Sequence, residues 1–434
     1  GDHRDLHSFP TRRSSDLIEG RVSEWVEEVK KLASFARTQP HAAYAAFTHG
    51  LVGRWNYVVR VSALSTDDVL KPLAEVINQQ LIPAVTMQPP PCQSTRDLLA
   101  LPPRLGGMGL VDPMKWGPPQ QAASAAISHP LVERIVQQDG NMTAVTRAQR
   151  AIKNRLHLQQ RAQQKREADD VITALSSAQQ KCARAAQEKG CSSWLAAVPV
   201  TRMGFSLHKG EFWDAIGLRY GWPLRLAPQS CRCGVSFEPN HVLTCKQGGF
   251  HTIRHNDLRD TVATILKVVY CEVTTEPALQ PLTGERLPQS ANRDDNARLD
   301  IKARGFWYAS QDAYFDVRVF HPFAPSYQSS RLATVYRQHE SQKRLAYGRR
   351  VRDIEHGGFT PLVFATNGGS APEATIFLKR LASMVAEIKG ESYAATMGWL
   401  RCVIGFCLLR ASLRCLRASS KKASSWNVFD TNRD

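Results

Sequence analysis

Apolar residues near the start of the chain recur at three- and four-residue spacing: Val22, Trp25, Val26, Val29, Leu32 and Phe35. That is the stripe of an amphipathic helix. The pattern stays mostly helical from Ile18 to about Pro130, with a further helix predicted over Asp67 to Leu81, capped by Thr66 or Asp67. The proline-rich run Pro83 to Pro91 interrupts it. From Thr143 to Lys189 the chain is rich in Gln, Arg, Ala and Lys and poor in Gly and Pro. This reads as a long basic, exposed helix or helical hairpin, serving either as a solvated spacer or as a nucleic-acid contact. Trp194 to Pro223 resumes a globular pattern, with an aromatic helix around Phe212 and Trp213.

After Cys231 the texture changes to α/β. A helix is predicted over His255 to Val268, followed by strand-like segments at Tyr270 to Thr275, Ala297 to Trp307 and Ala313 to Phe320. A basic helix from Arg331 to about His356, a strand at Pro361 to Thr366 and a helix after Pro372 complete the pattern. The fold class expected is multidomain: a helical N-terminal region, a small Cys/His segment, and an α/β domain. No internal repeat is visible.

Composition narrows the partner. The 434 residues suffice for two or three cores, and the net charge of +17 favours a polyanion, most often nucleic acid. Ten scattered cysteines do not make a disulfide framework, which points to a reducing compartment. No run of eighteen apolar residues occurs, so no membrane span is predicted. Residues 1–17 read like a translated sequencing adapter and are set aside from the fold.

Cys231, Cys233, His241 and Cys245 offer four thiolate or imidazole ligands within a short segment, the donor set of a structural zinc site. Gly234 permits the tight turn such a knuckle needs. The bland alternative is a chance cluster of core cysteines.

Two aspartates lie on consecutive strand-like segments, Leu299-Asp300-Ile301 and Phe315-Asp316-Val317. Alternation places Leu299, Ile301 and Ala303 on one face and Asp300 and Lys302 on the other. If the turn centres near Tyr308 or Ala309, Asp300 lies opposite Asp316 or Arg318. Two carboxylates beside a cation can hold Mg²⁺ for phosphodiester hydrolysis, with Asp300 and Asp316 as its ligands. Merely solvated aspartates are the plain alternative. His339, Lys343 and Tyr347 are spaced four apart and share a helix face. Lys343 or Arg318 would supply the cation, with Tyr347 and the neighbouring arginines contacting phosphate. A basic solvated helix would look the same.

From Gln39 onward these residues together resemble the end of the single protein of non-LTR retrotransposons that carry a restriction-like endonuclease. The resemblance rests on Thr48-His49-Gly50-Leu51 with Arg54-Trp55, and on Leu101-Pro102 with Arg104-Leu105-Gly106-Gly107. It continues through the Cys/His segment, Arg254-His255-Asn256, the Asp300 and Asp316 segments, and the His339, Lys343, Tyr347 helix. Leu299 stands where the family pattern has Pro, and Arg318 where much of the wider nuclease superfamily has Lys. The resemblance implies a thumb-like region over 18–130, a basic linker over 131–225, a zinc knuckle over 226–250, an endonuclease of the PD-(D/E)xK type over 251–422, and a tail over 423–434. It also implies target-DNA nicking, a retroelement RNA partner and action in the nucleus. Glu276 is a possible third acidic group, and Arg254, His339, Arg344, Arg349 and Arg350 are expected to touch nucleic acid. No Tyr-x-Asp-Asp or Phe-x-Asp-Asp string occurs, so no polymerase activity is expected. The rival readings are a catalytically inactive or domesticated nucleic-acid-binding module, and a structural ribonucleoprotein component.

Overall fold

The computed structural model describes residues 11–61, 69–225 and 227–418. The chain folds as two compact units. One runs to Gln187 and takes in Ser206–Trp222; the other comprises Glu188–Phe205 and the chain from Pro223 onward. The segment expected as a linker is divided between the two units. Its long helix belongs to the first unit, and the Cys/His segment belongs with the α/β region.

The first unit is helical, as its periodicity predicts. Val22, Trp25 and Val29 are buried along Thr11–Ala36, and the Trp25 ring meets Trp55 at 6.1 Å. Phe35 ends the stripe in solvent, at 47% exposure. The helix passes through residues 11–17, which composition had set aside, while residues 1–10 lie outside the described region. The predicted cap at Thr66 or Asp67 also lies outside it, and the described helix begins at Lys71, with Pro72 in its first turn.

Leu101 to Gly107 is a turn built for close approach. A Cβ on Gly107 would stand 2.0 Å from the Leu101 carbonyl oxygen, so only glycine fits. The exposed carbonyls of this turn are taken up by the helix Lys209–Tyr220: Arg219 donates to Pro103 and Gly107, and the Tyr220 hydroxyl to Gly106. The Arg104-Leu105-Gly106-Gly107 motif is thus a packing joint.

The second unit is built on one four-stranded mixed sheet: β1 (Val273–Thr275), β2 (Ile301–Arg304), β3 (Asp312–Phe320) and β4 (Gly358–Ala365), in that order. The pairs β1/β2 and β2/β3 are antiparallel; β3/β4 is parallel and spans the helical segment Leu332–Asp353 as its crossover. Odd residues of β3 and even residues of β4 (Phe315, Val317, Leu362 and Phe364) join one core with the helices Phe250–Leu266, Pro372–Lys389 and Tyr393–Ala418. Tyr314, Phe320, Phe359 and Val363 point the other way, against the crossover helices. Helices cover both faces, so the strands read as nearly continuous apolar runs. Among the described residues no single helix is long and apolar enough to cross a membrane, and no disulfide forms.

Candidate metal and acidic centres

Ile301 pairs with Phe315 and Ala303 with Ala313, so the β2–β3 connection centres on Tyr308. Continued one step, that register sets Asp300 opposite Asp316, the first of the two pairings the sequence allowed. Strand alternation fails just there. Leu299 packs with Tyr314 and Phe359, on the opposite side from Ile301 and Ala303, and β2 begins only at Ile301. The chain turns at Asp300, which frees its carboxylate to swing over the end of the ladder. The Val317 amide, left without a strand partner on that side, donates to Asp300 Oδ2 at 2.5 Å. His255, on the Phe250–Leu266 helix, meets Asp300 Oδ1 through Nε2 at 2.8 Å.

Asp316 sits in mid-strand and is buried. The Lys343 ammonium stands 2.6 Å from its Oδ2, a close ion pair. Burial, opposed by Lys343 and reinforced by the Asp300 charge, pushes the Asp316 carboxyl up to about 7. Burial also acts against ionised Asp300, but His255, Asp316 and the Val317 amide outweigh it and hold that carboxyl below the usual range. The two carboxyls touch each other and divide the roles: one firmly ionised, the other reluctant.

The remaining expected site residues distribute unevenly. Arg318 donates to Gln342 at 3.0 Å, so of the two cations it is Lys343 that meets Asp316. The Tyr347 hydroxyl accepts from Asn292, and its ring lies 5.9 Å from the Lys343 ammonium. Tyr347 lies within a π-helical segment, Arg344–Gly348. Glu276, at a left-handed φ of 52°, gives its carboxylate to Arg259 and does not join the aspartate pair.

Of the residues expected on nucleic acid, Arg350, Arg254 and His339 are buried and Arg344 and Arg349 are exposed. Arg350 is fully buried and donates to the carbonyls of Asn292, Asp294 and Gln280. Arg254 is buried and holds the Leu243 carbonyl, and His339 is buried against Phe320 and the Tyr327 hydroxyl. Burial, with Arg318 and Lys343 nearby, lowers His339 to about 4, so it is neutral. None of these three presents a charge to solvent. Arg344 pairs with Glu373 and Arg349 with Asp353, both exposed but already partnered.

The Cys231, Cys233, His241 and Cys245 donor atoms lie within 4.8 Å of one another, a set that can hold a metal such as zinc. A short hairpin makes the first pair: the Gly234 amide returns to the Cys231 carbonyl at 2.9 Å, with Gly234 at φ 92°. His241 comes from the helix Pro239–Thr244, and Cys245 follows it directly. The Val235 amide and His241 lower the exposed Cys233 thiol to about 7, easing the thiolate a metal requires. Two polar contacts fasten the segment to its surroundings: Arg254, on the Phe250–Leu266 helix, to the Leu243 carbonyl, and His321, just past β3, to Asn240 at 2.9 Å.

His255 and His321 are the residues the sequence did not single out as site groups. The signal for His255 was its place in Arg254-His255-Asn256, one of the segments that carry the resemblance; His321 had none. Neither the family models nor the curated proteins searched gave any match to this chain.

Proposed function

We infer that the second unit is a Mg²⁺-dependent DNA endonuclease, of the restriction-like kind that nicks target DNA in a retroelement protein. The observation that carries this reading is the Asp300–Asp316 pair, two neighbouring carboxyls beside the β2–β3 ladder with the Lys343 ammonium 2.6 Å from Asp316 Oδ2. Oxygen-only donors of this kind suit Mg²⁺. When bound, the metal supplies a Lewis acid and lowers the pKa of an attacking water.

The chain's own residues do the rest. His255 and the Val317 amide fix the Asp300 carboxylate in one orientation. Lys343 stands where it can offset charge developing on a phosphate. The Cys/His segment, holding zinc, is a structural clamp on the sheet, and the helical first unit fits the thumb and linker of a reverse transcriptase without its catalytic motif. Target DNA and element RNA are the partners this implies, in the nucleus.

One observation favours the rival reading of a binding module that does not cut: Lys343 already neutralises Asp316. The two readings separate in one experiment. The full chain, incubated with supercoiled plasmid, should produce open circles with Mg²⁺ and none with EDTA. Binding with no nicking in either condition would favour the module.

A further inference from the structure

We propose that the helix Met142–Thr173 is a docking surface for a nucleic-acid phosphate backbone, carried by the first unit and separate from the acidic centre. The helix divides into two opposed faces. Val145, Gln149, Ile152 and Leu156 are buried or half-buried along one face of its first half, and Gln149 donates to the Ile127 carbonyl of the preceding helix. On the other side Arg147, Arg150, Asn154, His157, Arg161 and Lys165 follow one another at spacings of three and four, all exposed. They form one continuous ridge. At 1.5 Å per residue it spans about 27 Å, close to one turn of a duplex.

Two features distinguish this ridge from an ordinary solvated face. No Asp or Glu occurs between Asp139 and Glu167, so no acidic residue interrupts the ridge along its own helix. Among the described residues Arg147, Arg150, Arg161 and Lys165 enter no ion pair, whereas Arg344, Arg349 and Arg352 of the second unit all do. Solvated helices usually carry both signs in i,i+4 pairs. A line of unpartnered cations backed by a packed face is complementary to a polyanion. This proposal does not depend on the nuclease reading.

The test is salt-dependent binding of the full chain to a 20-base-pair DNA duplex, the same duplex in RNA, and single-stranded RNA. Each phosphate contact contributes about 0.9 to the log–log slope on duplex DNA and about 0.7 on a single strand. R147Q, R150Q, R161Q and K165Q together should flatten the slope by about 3 on the probe that docks here, and weaken binding at least tenfold at roughly 0.1 M salt. Lysine in place of the three arginines should restore it. The matched control K31Q, R37Q, K71Q, K379Q removes four exposed cations elsewhere and should change the slope little. An equal fall in the control, or none in the ridge variant, would overturn the proposal. On the unsubstituted chain, bound probe should shield Lys165 from amine acetylation while Lys71 still reacts; equal labelling of the two counts against it whatever the variants do.

Discussion

Asp300 owes its position to a donor on a helix forty-five residues earlier and to an amide on the next strand, and each can be tested separately. His255 acts through Asp300. If it orients that carboxylate, His255→Ala should slow nicking by about 10–100-fold, the usual cost of losing a group that holds a metal ligand, with DNA binding unchanged. His255→Gln should recover part of the loss. An unaltered rate in His255→Ala would remove it from the site. His321 gives a second prediction at this scale. Burial holds it at about 3 against 6.5 unfolded, so between those values the unfolded chain binds the extra proton and stability falls as the pH falls. From pH 7.5 to 5 the wild type should lose about 2 kcal/mol through this group, read by denaturant titration. His321→Gln should lose correspondingly less. Equal losses would mean that His321 is not the buried neutral group its contacts to Asn240 and Thr366 describe.

At the scale of elements, the strands were legible because alternation is a local property, and turn length narrowed the aspartate register to two pairings, of which the structure has the first. The departure at Asp300 was not legible, because it depends on Leu299 choosing the Tyr314 side of the sheet. The basic segment after β3 illustrates a different limit. Its arginines look equivalent in sequence, yet Arg350 is buried by carbonyls fifty-six to seventy residues away, while Arg349 merely pairs with Asp353 on its own helix. Arg350→Ala should therefore destabilise the second unit by about 2–4 kcal/mol, since it strands three carbonyls and opens a cavity. Arg349→Ala should change stability by less than about 0.5 kcal/mol. Similar melting temperatures for the two variants would contradict these placements. The Cys/His segment was fully legible, because four ligands at short spacing need little tertiary help. Elemental analysis should find one zinc per chain, absent in Cys233→Ser, and chelation should lower the melting temperature. A chain without zinc that melts unchanged in chelator would leave the cluster a set of core thiols.

For the molecule as a whole, two units divide charge and chemistry between them. The first carries a ridge of unpaired cations; the second carries the aspartate pair and the Cys/His cluster, with most of its arginines committed internally. Net charge alone did not reveal this division, because it counts Arg147 and Arg350 alike. The central claim is that Asp300 and Asp316 together hold the metal that cuts DNA. Its most direct test is the Mg²⁺-dependent nicking rate of Asp300→Asn and Asp316→Asn in the full chain, measured beside their DNA affinity. These isosteric changes remove a ligand charge while keeping the shape. Nicking should fall by at least about a thousandfold in each, with affinity equal to or tighter than the wild type as repulsion of phosphate is relieved. Wild-type nicking rates in either variant would contradict the account.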